Sequence, residues 1–554
     1  MQSRASDVTC GDTGIKPLSE RGTQGYREAA VYIGTFLLAL LLFLTIKPLY
    51  ETDRNGVVAQ SIAAVAAGGC LFAGAFLAAS GKLTKERLVA LLFAVGVILR
   101  IAYMLYTPAS VRQQDTYSSN FNGHEAYAWT IFSTGKLPSV NDYQFYHPPL
   151  NALLQAAFMH FMQDFSGSLT SLLSLGDYFP GRFLSAKPEY IEAERYFLYQ
   201  SCQILSVLYS VVTCYVGMKL LKRMGVRGWT YVGLSAFLIF FPRNFQMSGQ
   251  LNNDGISYMC SMLSLYFAVK WQKEKKSFAN ILACAVSVGA GMMAKLTSAT
   301  VCLPIAGIFV CEFVRTLQKK GGALSFPRLA GEYAAFLAVC APLGLWFQVY
   351  AKIRFDQPFG FVFSNLNQRL YTGDHSFFGR FFIALDADEY FGSLWCRPFD
   401  GNYNLFHYAL RSAIFGEFSY WQGEGFAVAA VVLAYVAVIV LAVSLVRVLV
   451  LCVRDGKRGR FGTEEGRWDV LFVFLLVQSQ AISEIFFYVG MPYACTMDFR
   501  YIMPMIPGIA LTIWLTGARL KREGDVFSLA LNRLTAVSFG GALLFSTLFY
   551  MVCI

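Results

Sequence analysis

Apolar residues in this chain come in stretches long enough to cross a bilayer, and short charged clusters interrupt them. A helix needs roughly 17–25 such residues to span the hydrocarbon core. By that measure, with shorter buried helices allowed, the pattern predicts about 13 spans. They fall at 29–46, 57–79, 88–106, 196–218, 229–241, 256–271, 278–293, 299–313, 333–350, 426–446, 470–489, 501–515 and 529–550. A soluble core would alternate polar and apolar faces instead. The predicted fold class is an all-α polytopic membrane protein, with one membrane domain over residues 1–554.

The charged clusters fix an orientation. With this set of spans, Lys82, Lys85 and Arg87 fall on the same side as Lys222, Arg223 and Arg227. Lys273, Lys275, Lys276, Lys319 and Lys320 join them, as do Arg454, Lys457, Arg458, Arg460, Arg519, Lys521 and Arg522. Positive residues favour the cytoplasmic face. Residues 1–28 are then a cytoplasmic N-terminal segment, polar and unlike a cleavable signal peptide. Two long loops, 107–195 and 351–425, fall outside with the shorter 242–254 and 491–500. Function tends to concentrate on loops held by a rigid scaffold.

Composition agrees: 56% of the 554 residues are hydrophobic and 15% are charged, against about 25% charged in soluble chains. The net charge of +11 reads as topology, which argues against nucleic acid as a partner. None of the 13 cysteines forms a CxxC or zinc-type spacing. Cys396 and Cys495 both fall outside, and a disulfide between them stays open.

The outer loops hold the unusual polar residues. The first contains Arg112-Gln113-Gln114-Asp115, Gly123-His124-Glu125-Ala126-Tyr127, Gly135-Lys136-Leu137-Pro138 and Tyr146-His147-Pro148-Pro149-Leu150. Asp115 lies just beyond a span, where a carboxylate can take a proton from an incoming hydroxyl. It can equally be an ordinary solvated residue. Arg243, Lys295 and Arg500 are candidates for holding phosphate. Lys295 interrupts an apolar run, where a charge is either functional or snorkels to the interface. Arg243 and Arg500 have a structural alternative, pairing with Asp254 and Asp498. Asn252, Asn253 and Asp254 suit sugar hydroxyls, or the cap of the sixth span. Glu417 is open in the same way. Glu484 sits within an apolar run and should face protein.

These motifs resemble the GT-C superfamily of glycosyltransferases. The likeness is to the branch of protein O-mannosyltransferases and lipid A aminoarabinose transferases and their bacterial relatives. Asp115, Tyr127, Gly135 to Pro138 and His147 to Leu150 follow the order of motifs in that family's first outer loop. Gly249 to Asp254, Ala294-Lys295-Leu296, Phe415-Gly416-Glu417-Phe418 and Asp498-Phe499-Arg500-Tyr501 extend it. Where the family often has an Asp-Glu pair, this chain has His124-Glu125, so either Asp115 or Glu125 is the base. Asp115 is favoured for its nearness to a span.

The resemblance implies a GT-C bundle with short helices in its outer loops, and an inverting glycosyltransferase of the bacterial plasma membrane. Its donor would be a polyprenyl-monophosphate sugar; its acceptor would be a glycan, lipid or protein at the extracytoplasmic face. His124, Tyr127, Tyr146 and His147 would shape the sugar pocket. No cofactor is firmly implied. A divalent metal stays open because Asp115, His124, Glu125 and His147 are suitable ligand types, though at no compact metal spacing. A transporter or lipid flippase is the alternative, and predicts polar residues near mid-membrane and inverted repeats. A catalytically silent scaffold is a third reading.

Overall fold

The computed structural model describes residues 18–48, 57–109, 113, 115–173, 187–274, 276–362, 370–382, 403–416, 424–457 and 464–552. Arg112, Gln114, Cys396, Glu417 and Phe418 lie outside them, and with them the Cys396–Cys495 pairing. Among the described residues, 19 α-helices carry the structure. One antiparallel bridge, Tyr371 to Tyr493, is its nearest approach to a sheet.

Helices occupy all thirteen stretches predicted to span. Eight are long and apolar enough to cross a membrane, or nine if one bent pair counts as a single span. The first is α1 (Leu18–Thr45), followed by α2 (Val57–Ala79) and α3 (Lys85–Tyr106). Thr84 caps α3 by accepting from the Arg87 amide, and Glu86 in its first turn suits the positive end of the helix dipole. The first long loop holds α4 (His124–Thr134) and α5 (Leu150–Leu173). The predicted span at 196–218 is two helices in succession, α6 (Ala193–Ser201) and α7 (Gln203–Met224).

Shorter elements build the centre. They are α8 (Gly228–Phe240), the one-turn α9 (Pro242–Gln246), α10 (Asn253–Lys273) and α11 (Phe278–Ala294). A 3-10 turn, Leu296–Val301, leads into α12 (Cys302–Leu317), and α13 (Phe326–Phe355) follows. Then come α14 (Phe377–Phe381), α15 (Leu405–Phe415), α16 (Glu424–Lys457), α17 (Glu464–Gly490), α18 (Met505–Glu523) and α19 (Val526–Val552). In the bundle α10 packs on α7 and α11, α11 on α13, α12 on α17, and α16 along α19. Large apolar side chains such as Ile439, Val446 and Leu449 on α16 face outward, as a helix surrounded by lipid requires.

Two cations inside the bundle are matched by acceptors. Arg100 on α3 is 1% exposed. Its guanidinium donates to the Gly96 and Ile239 carbonyls at 2.9 and 2.7 Å and to Ser210 Oγ at 2.8 Å, tying α3, α7 and α8 together. Lys47 donates to the Met104 carbonyl at 2.8 Å and to Gln203 Oε1 at 3.0 Å. Such pairing offsets the desolvation of a buried charge.

The polar face of α6 and α7 then fixes the loop leading into α10. Gln203 donates to the carbonyls of Thr107 and Gly249 at 2.8 and 2.7 Å. Ser206 donates to the Gln250 carbonyl, Ser210 to that of Asn244 and Tyr199 to that of Leu251. Gln113 Oε1 accepts from the Leu251 amide at 2.6 Å, so the first loop joins the same frame.

Candidate active site

At one end of the bundle, the first loop, the start of α10, the break after α11 and the end of α17 enclose a cavity of about 470 Å³. That volume lies within the range of small-molecule sites. Asp115, His124, Tyr146, His147, Asn253, Asp254, Lys295 and Arg500, all singled out from sequence, line it.

Asp115 is held by local geometry. Its carbonyl accepts from the His124 amide at 3.1 Å, and the Thr116 carbonyl accepts from Glu125 at 3.0 Å. A Cβ on Gly123 would meet the Thr116 carbonyl oxygen at 2.7 Å and that of Asp115 at 3.1 Å, so this return of the chain needs glycine. The carboxylate stands 3.4 Å from His124 Nε2, while Oδ1 has no hydrogen-bond partner among the described residues. Burial pushes the Asp115 carboxyl up, but His124 and then Arg500 outweigh it and hold the group well below the usual carboxylate range. His124 and His147 stack with ring centres 5.7 Å apart, and Tyr146 packs on His147 at 4.0 Å. Burial, then the nearby His124 and Lys295, hold the His147 imidazole well below its ordinary value, so it is neutral at pH 7. Tyr143 beside them has φ 42°, a left-handed backbone uncommon for a bulky residue, and also lines the cavity.

Two cations face this wall. Helix α11 stops at Lys295, whose backbone is extended and whose amide closes the last turn on Gly291. Its ammonium contacts Asp254 Oδ1 at 2.5 Å and lies 4.4 Å above the Tyr501 ring. Arg500 Nε is 4.0 Å from a carboxylate oxygen of Asp254 and 4.0 Å from one of Asp498.

Four predicted site residues stand apart from the cavity. Glu125 is 2% exposed, and both its oxygens are bonded to Arg195, at 2.5 and 2.6 Å. Arg243 is fully buried; one guanidinium nitrogen holds both oxygens of Asp498 at 2.8 and 2.9 Å, and another donates to Gln246. It does not line the cavity, and its bonds suit a structural part beneath the site. The Tyr127 hydroxyl donates to the His147 carbonyl at 3.1 Å. Asn252 caps α10, accepting from the Asp254 amide. Glu417 lies outside the described residues. Among those residues, no group of three or more His, Cys, Asp or Glu side chains gathers as metal ligands.

The cavity also holds residues to which sequence assigned no role: Gln144, Thr300, Phe361, Glu484 and Thr496. Of these only Glu484 carried a signal, as an acid inside an apolar run.

The middle of the chain resembles a known family. Residues 197–346 match the family model of dolichyl-phosphate-mannose-protein mannosyltransferase. The matched stretch runs from α6 into α13 and includes the loop into α10, Asp254 and Lys295. It supports, in general terms, a glycosyltransferase of mannosyltransferase type. No curated protein matches the chain.

Proposed function

We propose that the chain is an inverting glycosyltransferase of the bacterial plasma membrane, moving a sugar from a polyprenyl monophosphate to an acceptor at the extracytoplasmic face. The observation that carries this reading is one cavity with the Asp115 carboxylate, one oxygen beside His124, on one wall and Lys295 and Arg500 on another. The acceptor oxygen attacks the anomeric carbon from the side opposite the phosphate. Asp115 takes its proton as the bond from carbon to phosphate oxygen breaks. The departing phosphate already carries negative charge, so the site stabilises it with cations and needs no acid to protonate it. Lys295 has donors left beyond its bond to Asp254, and Arg500 offers a planar fork that fits phosphate oxygens. Binding of the phosphate at Arg500 also offsets one of the charges that depress Asp115, which makes the carboxylate a better base when the donor is in place. Glu125, locked to Arg195, shapes the loop that carries the base.

Asp115→Asn in purified protein tests the reading. Removing a general base lowers transfer by about 100- to 10,000-fold, with donor binding retained. Full transfer by the variant would end the base assignment. A wild type that transfers from no polyprenyl-phosphate sugar, yet moves solute across vesicles, would replace the reading with transport.

A further inference from the structure

The cavity contains an acid that the transfer scheme leaves unused. Glu484 on α17 is 3% exposed and lines the cavity, and neither carboxylate oxygen has a hydrogen-bond partner among the described residues. It is not alone. Asn253 Nδ2 and Gln144 Oε1 line the same space, are buried and are also unpartnered. An acid buried within a membrane helix is costly unless something satisfies it. The protein's own cations are engaged close by, Lys295 with Asp254, and Arg500 between Asp254 and Asp498.

The chemistry of the donor narrows what can satisfy Glu484. An ionised phosphodiester offers only acceptors, and a polyprenyl chain offers neither donors nor acceptors. Sugar hydroxyls donate and accept at once. They suit both the orphan acceptors of Glu484 and the orphan donor of Asn253. We propose that Glu484 selects the transferred sugar, its two carboxylate oxygens taking hydrogen bonds from two ring hydroxyls while Asn253 donates back to them. The assignment rests on the glycosyltransferase reading, and deepens it by naming the group that reads the sugar.

The test compares binding of two lipids to the full chain in detergent: polyprenyl phosphate without sugar, and the same lipid carrying the sugar. Glu484→Ala should weaken the sugar-loaded lipid by about 10- to 100-fold for each of the two hydrogen bonds lost and leave the sugar-free one within about twofold, since those bonds to a charged group are the only interactions removed. Glu484→Gln keeps the shape and one acceptor, and should fall between. In a panel of donors each lacking one ring hydroxyl, wild type should reject two members that Glu484→Ala no longer distinguishes. Equal weakening of both lipids, or unchanged rejection of every deoxy donor, would overturn the proposal while leaving transfer intact. Wild type that binds neither lipid would overturn the glycosyltransferase reading, and this assignment with it. Retained binding of the sugar-free lipid shows that a variant is folded.

Discussion

Arg243 offers the sharpest test of how the site is built. From sequence it was a phosphate ligand or a structural partner, and its surroundings favour the second. Arg243→Met removes a guanidinium that is fully buried and makes bonds of 2.8 to 2.9 Å to Asp498 and Gln246. Breaking one side of a buried ion pair costs about 3–5 kcal/mol, because the remaining charge is left uncompensated. Asp498 keeps the Arg500 amide at 2.8 Å and the Arg500 side chain at 4.0 Å, which points to the lower end, about 3 kcal/mol. Thermal unfolding in detergent should show that loss. Asp498→Asn added to Arg243→Met should recover part of it, since the double variant buries no lone charge. The donor KM should change little in comparison. If Arg243→Met unfolds at the wild-type temperature while its donor KM rises tenfold or more, Arg243 is a phosphate ligand and the structural assignment is wrong.

Two further outcomes follow from the same geometry. Gly416 has φ 67° and ψ −149°, and a Cβ there would press on Arg243 and Gln246. Gly416→Ala should lower stability by about 1–3 kcal/mol, and less in an Arg243→Met background, where the guanidinium is gone and only Gln246 remains in the way; equal losses in both would refute the contact with Arg243. His147 is depressed in the fold, so its contribution to stability is present above the ordinary histidine value of about 6.5 and fades as pH falls below it. Asp115, also depressed, contributes above about 3.9 and loses that only in stronger acid. Unfolding followed from pH 7 to 5 should therefore show a slope that His147→Gln flattens and Asp115→Asn does not.

What was legible in the sequence were features written along one stretch of chain. Apolar runs gave the helices, and a lysine between two of them marked the break at Lys295. Partnerships were not legible in the same way. Asp498 stands 255 residues from Arg243, and Arg195 stands 70 from Glu125. Sequence could list both acids as candidates for the base, but only folding shows that Arg195 occupies Glu125 while Asp115 lines the cavity. Glu484 was visible as a misplaced acid in an apolar run. Which way it faces depends on how α17 turns against α12 and the Leu296–Val301 turn, and no periodicity records that.

The early end of α11 sets a depth. Its 17 residues rise about 25 Å at 1.5 Å each, a little less than the roughly 30 Å hydrocarbon thickness. On the proposed reading the Lys295 ammonium is fixed at the end of this rise, and the donor phosphate has to come to it. One added turn would move that charge by about 5.4 Å along the axis and away from Asp254, its partner at 2.5 Å. The length of α11 is therefore as much a part of the site as any residue that lines the cavity.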